Sequence, residues 1–179
     1  MGCAGTKVAP HDDAQELALR LLEALAANTE QTTLPIRRHS ERLGSGRRGL
    51  SRSAFRSLRA FFDRFGALDK SMADVCKEPG FAASVCELTK STGLSLAESL
   101  VLAAGEGDRI ADVVNRATSF FSYSWTGTKL RDMLDAIERA LAALEKDGKP
   151  RFVWVRASCS AHAQWGARVQ RFLTPSPPR

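Results

Sequence analysis

The sequence lacks any apolar run near the roughly 20 residues that a membrane-spanning helix needs. Its N-terminal stretch carries no basic start followed by an apolar segment, so a standard secretory signal is not expected. Cysteine is sparse: Cys3, Cys76, Cys86 and Cys159 show neither CxxC spacing nor a histidine at zinc-ligand distance, so no metal site or redox motif is expected. Aromatics make up only 7% of the chain, and the abundance of Ala and Leu leans toward helices. Acidic residues stop at Asp147, although the chain continues to Arg179. With 179 residues there is room for one domain with a hydrophobic core, and not for two large ones.

What is present is uneven in charge. The net charge is +6, yet residues 37 to 59 alone hold eight arginines against the single acid Glu41. Within that stretch Arg47, Arg48, Arg52, Arg56 and Arg59 are interleaved with Phe55 and other apolar residues. Such a basic and apolar mixture suits an anionic membrane surface, or an acidic protein partner of the calmodulin type. No nucleic-acid motif accompanies the charge, so nucleic acid is not the expected partner. Ser40 and Ser51 lie downstream of arginine and are candidate phosphorylation sites, where added negative charge would oppose membrane attraction.

The chain begins Met1-Gly2-Cys3-Ala4-Gly5-Thr6-Lys7, which fits the pattern for myristoylation of Gly2, with Cys3 placed for palmitoylation. A single myristoyl chain binds a bilayer only marginally, and Cys3 or the arginine-rich segment would supply the second signal. The expected location is the cytoplasmic face of a membrane.

Patterning divides the chain into segments. Residues 1–10 form the anchor, and 11–35 an amphipathic helix and turn, with Asp13 and Glu16 as a capping box ahead of Leu17, Leu21 and Leu25. Residues 36–52, rich in Gly and Arg, read as a flexible basic linker. Residues 53–116 read as a helical region: a Phe-rich helix from Ser53, a short helix from about Ser71 to Glu78, and a third opened by Ser95 and Glu98. Residues 117–155 read as strand, helix, strand, with Leu130, Met133, Leu134, Ile137, Leu141 and Leu144 on one helical face. A helix of that length makes this a βαβ unit with parallel strands. Residues 156–179, without acids and with a Pro-rich end, read as a disordered basic tail or as sequence from a shifted frame.

Ser119-Phe120-Phe121-Ser122-Tyr123-Ser124-Trp125 resembles the first strand of Toll/interleukin-receptor (TIR)-like domains, which often reads F-V-S-[YH]-[SA]-W. Phe152-Val153-Trp154-Val155 is similar to the strand that closes the first βαβ unit in protist and algal members, and the resemblance covers roughly residues 85–155. It implies a partial flavodoxin-like α/β unit, preceded here by a mostly helical region, and a role in homotypic assembly. Some members of that family also cleave NAD with a glutamate on a later helix. Here no acid follows Asp147, so that glutamate has no counterpart. The strand end at Ser122, Tyr123, Ser124 and Trp125 is where α/β sheets place ligands, but no Asp or His stands in motif spacing to activate either serine.

The expectation is therefore a membrane-anchored interaction or signalling protein with a truncated TIR-like module, no catalytic residues and no cofactor. The alternatives are a divergent NAD-consuming or hydrolase-like enzyme, or a truncated product without independent function.

Overall fold

In a computed structural model, the chain is described over residues 10–27, 47–77, 84–90, 92, 94–121 and 127–155. The helices are α1 (Pro10–Ala27), α2 (Arg52–Arg64), α3 (Met72–Lys77), α4 (Val85–Lys90), α5 (Leu96–Ala103) and α6 (Leu130–Leu144), and in the long ones, α1, α2 and α6, apolar positions recur at helical spacing. Short strands β1 (Arg48–Leu50), β2 (Val114–Arg116), β3 (Ser119–Phe121) and β4 (Val153–Val155) complete a mixed α/β fold.

The strands form one four-stranded sheet in the order β2-β1-β4-β3. β3 and β4 run parallel, with Phe120 opposite Trp154, and α6 lies between them in the chain. The expected βαβ unit is therefore present. β1 runs antiparallel to both β2 and β4, so two of the three pairings are antiparallel. Thr118 fastens the start of β3 to β4: its backbone N–H donates to the Phe152 carbonyl (2.8 Å), and its hydroxyl accepts from the Phe152 N–H (3.0 Å).

Strand β1 corrects the linker reading of residues 36–52. Arg48–Leu50 sits between two other strands, and Gly49 serves close packing there rather than flexibility. A Cβ at Gly49 would lie 2.9 Å from backbone atoms of Phe152 and Val153, so only glycine lets β1 come this near to β4. The part of that segment before Arg47, with Ser40, lies outside the described residues. Strand β2 likewise falls at the end of the segment read as helical.

Local signals set most helix ends. Ser95 and Glu98 make the anticipated reciprocal capping box of α5. Ser51 caps α2 by accepting the Ala54 N–H at 3.3 Å, so the helix opens slightly before the expected start at Ser53. Gly148, at φ 73°, closes the turn after α6 in a conformation other residues rarely adopt. The expected box at Asp13 and Glu16 is not an N-cap, because α1 already begins at Pro10, and the fixed φ of proline suits the first position of a helix. Helix α4 was not anticipated from its six residues, too few to show a period.

One hydrophobic core joins α1 to the sheet, with Leu21, Leu22, Phe61, Ile137 and Leu141 all at or below 1% exposure. Ser57 on α2 donates to the Gln15 carbonyl of α1, and Arg64 pairs with Glu23, so the two helices lie side by side in the same direction. Leu144, expected on the buried face of α6, is instead 45% exposed, because the last turn overruns the core.

Candidate interaction surface

Successive strand residues point to opposite faces, so that among the described residues one side of the sheet packs on the core and the other carries exposed Phe120 and half-buried Trp154. Val153 and Leu50 are buried, while Phe121 and Val155 pack against the core from the same side. Phe120 and Trp154 therefore stand on the other side, next to each other in register. Their ring centroids are 5.0 Å apart with planes tilted by 31°. Phe120 is 55% exposed, the most exposed large apolar side chain among the described residues.

Arg47 completes the group. Its guanidinium lies 4.6 Å from the centroid of the Trp154 ring, a cation–π contact that holds a positive charge beside the two aromatics. At the same end of β1, Arg116 is opposite Arg48 in register, so like charges meet across strands. Arg116 shares the parity of buried Val114, yet it is exposed where β2 ends, so it adds charge at the rim of the sheet and not on the open side itself. The four strands contain no Asp or Glu. Among the described residues neither Arg47 nor Arg116 makes an ion pair.

The other arginines singled out from the sequence are used differently. Arg52 approaches Glu138 (3.8 Å) and Glu145 (3.9 Å), Arg56 pairs with Glu138 at 2.7 Å, and Arg59 pairs with Asp135. The basic face of α2 is thus matched by an acidic stripe on α6, which is the physical reason it is not a free membrane-binding face. Phe55 is 3% exposed in the core and cannot meet a bilayer from there. Ser51 is 5% exposed with its hydroxyl engaged as the α2 cap, so a kinase would have to unwind that turn to reach it. Gly2, Cys3 and the strand end at Ser122, Tyr123, Ser124 and Trp125 lie outside the described residues.

Phe120 and Trp154 were not singled out from the sequence as a surface pair, because the first strand read as a buried run of aromatic and hydroxyl residues and the second as fully apolar, and neither pattern says which side is bare. The one usable signal was parity, with Phe120 and Trp154 each flanked by residues of the opposite face.

The described residues also line an apolar cavity and, away from the sheet, an open cleft. An apolar cavity of about 80 Å³ is lined by Phe55, Leu58, Met72, Leu134 and Val153 among others. Ordinary ligand sites start at roughly 300 Å³, so this one is too small to be one of them. An open cleft of about 600 Å³ between α1 and residues 107–112 is lined largely by charged groups. Three of its arginines are compensated within the chain: Arg20 by Asp108, Arg64 by Glu23 and Arg109 by Asp112. Among the described residues, no three His, Cys, Asp or Glu side chains are grouped to hold a metal ion. No family model matches the chain, and no curated protein or solved structure is significantly similar to it.

Proposed function

We propose that this chain is an acyl-anchored interaction protein of the cytoplasmic face of a membrane, without catalytic activity of its own. The observation that carries the reading is the start Met1-Gly2-Cys3-Ala4-Gly5-Thr6, which offers a myristoyl acceptor and an adjacent palmitoyl acceptor. Among the described residues no helix is long and apolar enough to cross a membrane. A partial TIR-like, flavodoxin-like module is the finer proposal. The parallel β3-α6-β4 unit supports it, while the antiparallel β1 and β2 limit it to that unit.

The anchor has a definite hierarchy. Myristate on Gly2 gives weak, reversible attachment, and palmitate on Cys3 makes it durable. Gly2→Ala should release the protein to the cytosol, since Cys3 is no longer brought to the membrane for acylation. Cys3→Ser should leave a partial fraction that high salt strips, because charge attraction is screened over about 8 Å at physiological ionic strength. Fractionation of cells expressing each variant checks both. Membrane recovery of Gly2→Ala equal to that of the wild type would sink the anchor reading.

A further inference from the structure

We propose that the open side of the sheet, carrying Phe120, Trp154 and Arg47, docks on an anionic lipid surface. The proposal rests on the membrane reading for the presence of a bilayer within reach, but it concerns different residues. The sheet, and not the paired arginines of α2, then supplies the second membrane signal.

The side chains fit such a surface by chemistry. Aromatic rings favour the boundary between headgroups and acyl chains, and an exposed phenylalanine gains by leaving water. Phe120 is more than half exposed, on an edge strand among the described residues, with Trp154 directly beside it. Arg47 is exposed and holds its guanidinium over the Trp154 ring, a position that leaves its remaining N–H donors to a lipid phosphate. Arg116 adds an exposed positive charge at the rim, and neither arginine is neutralised by a carboxylate among the described residues.

Single-stranded nucleic acid is the rival for any basic and aromatic face. Two features favour lipid. Arg47 already occupies one face of the Trp154 ring, so a base would have to displace it to stack there. The two rings also lean against each other rather than lying spaced to receive successive bases. An acidic protein would use the arginines but leaves the bare Phe120 unexplained.

The test uses full-length protein made without acylation, so that the anchor contributes nothing. Co-sedimentation with phosphatidylcholine vesicles, with and without about one-third phosphatidylserine, should show binding that requires the anionic lipid and falls with salt. Phe120→Ser should lower the bound fraction about tenfold, in line with the transfer of one exposed aromatic. Arg47→Ala should lower it about fivefold. Arg131→Ala, on the exposed side of α6, should leave it unchanged. Circular dichroism of each variant verifies that the fold is kept, and the surface position of Phe120 and Arg47 makes this expected. Vesicle binding unaffected by both Phe120→Ser and Arg47→Ala overturns the proposal. So does selective binding of a labelled single-stranded oligonucleotide that those variants abolish while vesicles are ignored. Because the protein is unacylated, either failure leaves the Gly2 reading standing, and failure of Gly2→Ala to release the protein in cells leaves this one standing.

Discussion

Gly49 shows how much a single missing side chain can decide. It was legible as a glycine in a basic, loop-like segment, and nothing in its neighbours announced a strand. The reason it is glycine lies far along the chain, in the backbone of Phe152 and Val153 that a Cβ would strike at 2.9 Å. Gly49→Ala should force β1 and β4 apart and cost about 1–3 kcal/mol, as overpacking of a close contact does. Gly105→Ala is the matched control, since its Cβ would meet only Asp108 Oδ2 at an ordinary 3.6 Å. Thermal unfolding should lower Tm by several degrees for the first and hardly move it for the second.

Asp108 provides a pH handle at the same scale. The Gly105 N–H, donating at 2.7 Å, and then the Arg20 guanidinium hold its carboxyl below the ordinary 3.8, against a smaller opposing effect of desolvation. A carboxylate depressed in the folded state stabilises the fold fully above its unfolded pKa, and that contribution is lost as pH falls through the folded value. Asp108→Asn should therefore be less stable than the wild type at pH 7. The gap should narrow as pH is taken below about 4, which urea unfolding at pH 7, 5 and 3.5 would follow. A gap that widened on acidification would mean that the Asp108 charge opposes folding.

At the scale of elements, α2 and α6 meet through both oil and charge. Phe61, Phe62, Ile137 and Leu141 face inward, as their spacing indicates, and the arginines of α2 meet the acids of α6 beside them. Periodicity alone identified both helices, because each is long enough to repeat an apolar position several times. It could not show that the charged sides would meet, since that depends on how two distant helices cross. The Arg56 and Glu138 pair is about one-third exposed on each side, so its coupling should be modest. A double-mutant cycle with Arg56→Ala and Glu138→Ala should give about 0.5–1 kcal/mol in low salt, and less in molar salt. Coupling near zero in low salt would show that these arginines remain available to outside partners.

For the whole molecule, the sheet draws its strands from both sides of the helical region. β1 comes before α2, whereas β4 ends the described chain, and they are neighbours in the sheet. The segment 85–155 contains β2, β3 and β4 but not β1, the strand that joins β2 to the rest. It also lacks α1 and α2, which bring Leu21, Leu22, Phe61 and Phe62 to the core. An isolated 85–155 fragment should thus show helical circular dichroism without a sigmoidal melting transition, while the full chain unfolds cooperatively. Sharp, dispersed amide signals from the fragment would show that the βαβ unit can stand alone.

The sequence by itself determined what is local. Helices α2 and α6 follow from repeated apolar spacing, the α5 start from Ser95 and Glu98, and the parallel pair from a strand, a long helix and a strand in succession. Tertiary structure decided which arginines are spent inside the molecule and which are left outside, because the α2 pairs join residues 76 and 82 positions apart. It also decided that Phe120 stands exposed beside a half-buried Trp154, on the side of the sheet away from the core. An apolar strand carries the same residues whether one side or both are covered, and only the placement of the helices settles which side meets solvent.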